Sequence, residues 1–380
     1  MRFDYLRLYV PAGSHLCQNL EHQWGFECVK QIRDASTRTH CYQQGEIRLV
    51  LNVATHLDSP VDRHLQRYAP GITNIALQVK NLNKLRQRLD ALNHPYEVVL
   101  HPFTGAEGIC FAGWGAYQHT AYEFHSIAPA PTPRHLMAID HVVLNISQSE
   151  FVAASRWYQQ LFNWSVQQRF SISTPDTGLY SEALVDSTGN VRFNLNHPTT
   201  PRSQIQTFLD RNRAAGIQHV AFASTQILTT ISQLRQRQVS FLPVPHSYYE
   251  QHSNTQNFKS SPFPLSQLKQ LGLLADHFQE DSQQGLLQIF TQPLFGPSTF
   301  FWEIIQRYQQ APGFGENNFQ ALYEAVEAQE FAGQSQTMWE GNTSTLKSKK
   351  CVKKVSRKKK TEIMDITVKL NFRDYEASID

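Results

Sequence analysis

Three observations predict an α+β protein whose chain repeats one plan. The first is a pattern written twice: Gly71–Val79 reads G-I-T-N-I-A-L-Q-V and Gly216–Ser224 reads G-I-Q-H-V-A-F-A-S, each an apolar strand opened by glycine and followed by a helical stretch. The second is the succession strand, helix, aromatic turn, strand, which begins both halves, with Trp24-Gly25-Phe26 in one and Phe162-Asn163-Trp164 in the other. The third is Ala128–Arg134, A-P-A-P-T-P-R, whose prolines neither continue a helix nor pair inside a sheet, and which separates the copies. The expected organisation is a first domain at 1–127, a linker at 128–136, a second domain at 137–336 and a tail at 337–380.

Phe3–Val10 (F-D-Y-L-R-L-Y-V) is rich in aromatic and β-branched residues and is expected as the first strand. A polar amphipathic stretch then runs to Gln23 before the aromatic turn delivers a second strand. Gln44–Ala54 is a turn signal feeding an alternating strand, and Gly189–Pro198 matches it in the second half. Ile139–Ile146 opens that half, and S-E-F-V-A-A-S-R-W-Y-Q-Q-L-F from Ser149 is helical. Both halves close in glycine-spaced strands, E-G-I-C-F-A-G-W-G from Glu107 and G-L-L-Q-I-F-T from Gly285. His246–Gln284, rich in Ser, Gln, Asn and Pro, has no counterpart upstream and reads as an insertion. After Gly313–Phe319 (G-F-G-E-N-N-F) comes a helical stretch, A-L-Y-E-A-V-E-A-Q-E-F.

At 380 residues the chain is long enough for two domains with their own cores, and 41% hydrophobic with 18% charged residues is the profile of a folded soluble protein. There is no apolar run near the length of a membrane span and no secretory signal, so a cytoplasmic protein is expected. Five scattered cysteines without a C-x-x-C pair argue against a disulfide framework or a thiolate zinc site. Residues 340–380 hold eleven Lys or Arg against six Asp or Glu, so the net charge of +3 becomes about −2 for the first 339 residues. The folded part is not a nucleic-acid binder by charge, and the tail, with nine basic residues in Lys347–Lys360, reads as a solvated extension.

Laying one half over the other shows which positions gain a metal-binding side chain. Tyr5 becomes His141, Asn74 becomes His219, and Glu123 is matched to Glu303. The intervals support the match, since 49 residues separate Asn74 from Glu123 and 84 separate His219 from Glu303, an excess of 35 that is about the insertion. Two neutral imidazoles and a carboxylate on different strands are the ligand set that holds non-haem Fe(II) with positions left open. Alternation places Phe301 with Glu303 on one face and Gln288 with Phe290 on one face, and sets Gln218 opposite His219. On the repeat alone, a chance match among sixteen histidines stands beside this reading.

The second half further resembles the 4-hydroxyphenylpyruvate dioxygenase family of the vicinal oxygen chelate superfamily, its short form resembling the cyanobacterial members. The motifs are I-D-H-V-V-L-N at 139, S-Q-I-Q at 203, A-G-I-Q-H-V-A-F at 215, L-L-Q-I-F-T at 286, F-W-E-I-I-Q-R at 301 and G-F-G-x-x-N-F at 313. The resemblance spans roughly residues 2–332 and is looser in the first half. It implies two tandem open β-barrel halves built from paired βαβββ modules, a glyoxalase-like fold, with only the second half active. It implies Fe(II) held by His141, His219 and Glu303, and polar groups at the substrate from Ser181, Asn196, Gln204 and Gln288. Gln218 and Asn318 would also contact substrate, Phe290, Phe301 and Phe319 would wall the pocket, and the terminal helix would act as a lid. The family's motif departs here at Glu316-Asn317 and at Tyr323. The implied reaction takes 4-hydroxyphenylpyruvate and O2 to homogentisate and CO2 by oxidative decarboxylation, ring hydroxylation and side-chain migration. The implied assembly is a homo-oligomer. Rival readings are a hydroxymandelate synthase with the same metal and substrate, a ring-cleaving extradiol dioxygenase, and a metal-free binding module.

Overall fold

The computed structural model describes residues 1–127, 136–173, 177–252, 263–276, 284–319 and 321. Most of the expected linker, nearly all of the expected terminal helix, and the basic tail lie outside the described residues. The first half contains β1 (Arg2–Val10), β2 (Glu27–Arg33), β3 (Thr37–Gln44), β4 (Ile47–Ala54), β5 (Gly71–Val79), β6 (Tyr96–Leu100), β7 (Glu107–Ala112) and β8 (Gln118–Glu123). The second contains β9 (Leu136–Asn145), β10 (Ser165–Ser173), β11 (Gly178–Val185), β12 (Arg192–Pro198), β13 (Gly216–Ser224), β14 (Leu274–Asp276), β15 (Gly285–Phe290) and β16 (Phe301–Tyr308). Their orders in the two sheets are β2-β3-β4-β1-β5-β8-β7-β6 and β10-β11-β12-β9-β13-β16-β15-β14, the same topology twice. Each is an open barrel of two βαβββ modules joined where two lead strands run antiparallel, β1 against β5 and β9 against β13.

A helix follows the lead strand of every module. The polar stretch after β1 forms α1 (Leu16–Asn19) and continues as a π turn to Trp24, where Gly25 in the left-handed region releases the chain into β2. α2 (Pro60–Arg67) follows β4, with Ser59 accepting the Asp62 N–H as its cap. α3 (Leu82–Ala91) follows β5, and Asn81 caps it by accepting the Lys84 N–H. α4 (Gln148–Phe162) buries Phe151, Ala154, Tyr158, Leu161 and Phe162, the stripe expected of a helix lying on a sheet. α5 (Gln204–Asn212) and α6 (Ile227–Gln236) lie before and after β13.

The main core joins the halves: Leu6 and Leu8 belong to the same apolar cluster as Val142, Leu144, Phe222 and Trp302. Trp24 meets the Phe222 ring edge-on at 6.4 Å. The halves also meet at Gly115, where an added Cβ would lie 2.1 Å from the Ala215 carbonyl oxygen and where φ is +83°. Only glycine fits both the contact and the dihedral.

The register corrects two expectations from the sequence. Asn74 pairs with Gln118 along parallel β5 and β8, whereas His219 pairs with Phe301 along β13 and β16. The residue equivalent to Glu303 is therefore Thr120, three places before Glu123. Glu123 instead matches Gln306, and the two do the same work: Glu123 accepts the Leu82 N–H at the start of α3, and Gln306 accepts the Ile227 N–H at the start of α6. What the two halves share at these positions is a helix cap, not a metal-binding carboxylate. Nor is the whole of His246–Gln284 an insertion, because β14 within it pairs with β15 as β6 pairs with β7.

Candidate metal centre

β9, β13 and β16 lie side by side, and their register brings three side chains to one point. Ala221 on β13 is opposite His141 on one side and opposite Glu303 on the other, with His219 two residues away. His141 Nε2 lies 3.3 Å from Glu303 Oε2, and His219 Nε2 lies 3.5 Å from the same oxygen. All three residues are buried, and their donor atoms fall within 4.8 Å of one another.

The partners of the outer ring nitrogens set the tautomers. Asp140 accepts from His141 Nδ1 at 2.8 Å, and Gln218 Oε1 lies 3.3 Å from His219 Nδ1. With each Nδ1 carrying the proton, each Nε2 presents a lone pair toward an already anionic carboxylate. Glu303 Oε1 is buried with no hydrogen-bond partner among the described residues. Electron pairs converging around a common point are stable with a cation between them, so the donor set fits a divalent metal of the non-haem iron type.

Electrostatics around the cluster are unequal. Burial raises the cost of the Asp140 charge, yet the Arg307 guanidinium, bonded through Nε and Nη2 at 2.8 Å each, outweighs it and holds the carboxyl well below its ordinary range. Burial pushes the His141 imidazole down, and the Glu303 and Asp140 carboxylates more than offset this, leaving it raised. Burial and the neighbouring His141 push His219 far below its ordinary value, so it stays neutral.

Beside the cluster opens a cavity whose walls include Asn196, Gln204, Gln218, His219, Phe301 and Phe319. Gln204 enters from the first turn of α5, where Ser203 caps the helix by accepting the Ile205 N–H. Phe301 stacks on His219 at 4.8 Å, and Phe319 stacks on Phe170 at 5.4 Å. Ser181 lies directly across from Asn196 on β11 and β12. Ser181 Oγ, Asn196 Oδ1 and both amide atoms of Gln288 are buried without a hydrogen-bond partner among the described residues. Phe290, two residues from Gln288 on β15, stands 6.3 Å from the His219 ring. Asn318 is buried in the turn after Gly315, accepts from the Tyr248 hydroxyl at 2.6 Å, and leaves its Nδ2 without a partner. It does not line the cavity wall.

The position of Gln218 departs from strict alternation. β13 carries a bulge between Ile217 and His219 against β9, and the extra residue is Gln218. A bulge re-aims its side chain, so Gln218 and His219 share the cavity although they are neighbours in sequence. A second irregularity, between His141 and Ile139, falls at Asp140 and lets it reach the ring beside it.

Sequence reasoning missed Asp140, Arg307, Phe314 and Gly315. The signal for Asp140 was present, because Asp precedes both Tyr5 and His141 and an Arg stands at both 48 and 192. In the structure Arg48 lies 3.5 Å from Asp4, and Arg192 lies 3.9 Å from Asp140. Looking for side chains that the second half gained passed over those the halves share.

The first half holds another cluster of metal-ligating types, Asp4, His101 and His125, with different wiring. His101 Nδ1 accepts from the Phe103 and Thr104 N–H groups, so its proton is on Nε2 and is donated to Asp4 at 3.0 Å. That nitrogen has no lone pair for a metal, and the group is a hydrogen-bonded knot.

Two open barrels with a two-histidine, one-carboxylate cluster in the second define a protein of the Glyoxalase/Bleomycin resistance protein/Dioxygenase superfamily, whose profile matches residues 138–261. A 4-hydroxyphenylpyruvate dioxygenase of Legionella pneumophila is 32% identical over 86% of this chain and 93% of its own. The chain belongs to the 4-hydroxyphenylpyruvate dioxygenase family and is a dioxygenase of that type. An uncharacterized protein of Synechocystis is 46% identical over 87% of this chain and 98% of its own. Among solved structures, a triple mutant of 4-hydroxymandelate synthase from Streptomyces coelicolor superposes with a TM-score of 0.75 at 25% identity, covering 87% of this chain and 98% of that one.

Proposed function

We propose that the protein is an Fe(II)-dependent 4-hydroxyphenylpyruvate dioxygenase, with His141, His219 and Glu303 as the metal ligands. The observation that carries the reading is the convergence of two Nε2 lone pairs and one carboxylate beside a cavity with unpaired polar atoms. Held by these three residues, Fe(II) would supply Lewis-acid and dioxygen-activating chemistry for a 2-oxo acid substrate.

The chain's own residues bind and orient. Asp140 keeps the His141 proton on Nδ1, and Phe301 fixes the plane of the His219 ring by stacking on it. Asn196, Gln204 and Gln218 offer hydrogen bonds along the wall, and Ser181 stands across from Asn196 on the neighbouring strand. A buried polar atom left without a partner costs about 1–3 kcal/mol, so the unpaired atoms of Ser181, Asn196 and Gln288 favour a substrate whose phenol and oxo-acid oxygens satisfy them. Leu179, Ile205, Phe208 and Phe319 give the substrate ring an apolar bed and keep water out. The product would be homogentisate, with CO2.

The likeness to 4-hydroxymandelate synthase favours a second reading with the same site and another product. One experiment tests both. The metal-free protein is loaded anaerobically with Fe(II) and 4-hydroxyphenylpyruvate, followed by absorbance, then given oxygen and its product chromatographed. A visible band followed by homogentisate supports the first reading. 4-Hydroxymandelate replaces it with the second, and no band with no turnover sinks both.

A further inference from the structure

Arg307 lies on β16 four residues beyond Glu303, its side chain only 9% exposed, and its planar guanidinium serves two clients. Nε and Nη2 grip the two oxygens of Asp140. Nη1 donates to the carbonyl oxygens of Ala311 at 2.9 Å and Gly313 at 2.7 Å. Asp140 in turn holds the His141 ring. The segment held by Nη1 lies over the centre: the Phe314 ring meets the His141 ring edge-on at 5.2 Å, with the guanidinium 5.8 Å from the Phe314 centroid. At Gly315, where φ is +79°, an added Cβ would lie 2.0 Å from Gln288 Oε1. Asp276 anchors the far end by accepting from the Asn317 backbone and side-chain amides.

We infer that Arg307 is a positioning residue that couples the order of residues 311–315 to the setting of His141, so that closure of this segment and metal binding strengthen one another. The inference rests on the metal-centre reading above. A rigid fork cannot shift toward one client without leaving the other, and a lysine, a point charge on a flexible stem, cannot hold both. The first half supports the assignment by contrast: Phe124 stands at the position of Arg307, and Asp4 is served by His101 and Arg48. The Asp–Arg pair at 140 and 192 is common to both halves, whereas Arg307 belongs to the half that carries the ligands. Coupling of this kind is reciprocal, so whatever disturbs the segment weakens the metal, and the metal orders the segment.

The test titrates the metal-free full-length protein with Co(II) and anaerobic Fe(II), and follows amide hydrogen exchange of residues 311–319 with and without metal. In the unaltered chain, metal slows exchange across the segment. Arg307→Lys, which keeps the charge opposite Asp140, lowers metal affinity by about 10–100-fold and removes the metal-dependent protection. Gly315→Ala disturbs the segment from the other end and weakens the metal without touching Asp140 or a ligand. It carries the test should the Arg307 variant not fold. Metal binding by both variants with unaltered affinity, or weaker binding with the segment still protected by metal, overturns the coupling alone. No uptake by the unaltered chain overturns the coupling and the metal-centre reading together.

Discussion

Tyr5, Asn74 and Thr120 stand in the first barrel where His141, His219 and Glu303 stand in the second. The backbone presents three side chains to one point in either case, because the register of three adjacent strands does so whatever the residues are. What differs is how those side chains are satisfied. Asn74 donates to Thr120 Oγ1 at 2.7 Å and accepts from it at 3.0 Å, and Tyr5 shares a hydrogen bond with Tyr122. Arg7, at the position of Val143, puts the chain's own cation 5.9 Å from the Tyr5 ring. At these three positions the first barrel pairs its polar side chains with one another, whereas Glu303 in the second keeps Oε1 buried without a hydrogen-bond partner among the described residues. A polar interior that is satisfied serves stability, and one left wanting partners marks a place for something to bind.

The largest effect should come from destroying the difference at its centre. His219→Ala or Glu303→Ala is expected to abolish stoichiometric metal binding and turnover while leaving the circular dichroism spectrum unchanged, since the first barrel folds with no such ligands. Retained turnover in either variant would sink the proposed centre. The converse change sharpens the comparison. Tyr5→His, Asn74→His and Thr120→Glu together are expected to create no second site while Arg7 remains, and to bind a second equivalent of Co(II) once Arg7→Val is added. A second equivalent taken up with Arg7 in place would show that the internal cation is not what keeps metal out.

Much of this comparison was legible in the sequence. The duplication, the lead strands and the histidines gained at 141 and 219 stand out because alternation and glycine-led strands leave a periodic trace. The third correspondence was misread because Glu123 and Glu303 share a residue type and only strand register shows that Thr120 lies opposite Asn74. The role of Asp140 was hidden, and alternation set Gln218 on the wrong face although the resemblance named it, for a related reason: a bulge is one extra residue in a ladder, invisible until the partner strand is known. Arg307 ends the F-W-E-I-I-Q-R motif in plain view, but its partners lie 167 residues upstream and a few residues downstream, and no local pattern joins them.

Smaller effects follow from the closed interior. Thr120→Val removes both hydrogen bonds between Asn74 and Thr120 Oγ1 and leaves the buried amide only the weak contact to Cys110 Sγ at 3.6 Å, so it should cost about 1–3 kcal/mol in urea unfolding with turnover unchanged. A rise or no change in stability would mean that Asn74 finds another partner. His119, fully buried beside Tyr117, Tyr158 and Phe111, is pushed by burial from 6.5 to about 3. The unfolded chain takes up a proton below pH 6.5 and the folded chain does not, so stability is whole above that pH and falls as pH drops from there toward 3. At pH 5 the loss from this residue is about 2 kcal/mol, and His119→Phe should remove that part of the slope. An unchanged slope would locate the acid sensitivity elsewhere.

The least effect is expected from ending the chain at Gln336. The last contacts with the candidate centre and its cavity come from Phe314 and Phe319, and Ala321 is buried in the core, so no described interaction is lost. What does change is charge: residues 340–380 carry eleven basic against six acidic side chains, and their removal turns a chain of +3 into one of about −2. The proposed substrate is an anion, so a basic tail would act through long-range attraction, which at physiological ionic strength is screened beyond about 8 Å. The truncated protein should therefore keep kcat at every salt concentration. Its kcat/KM should match the full chain near 0.15 M salt, falling below it only when salt is reduced toward about 0.01 M, where the screening length reaches roughly 30 Å. A fall in kcat itself would give the tail a part in the barrel that carries the chemistry.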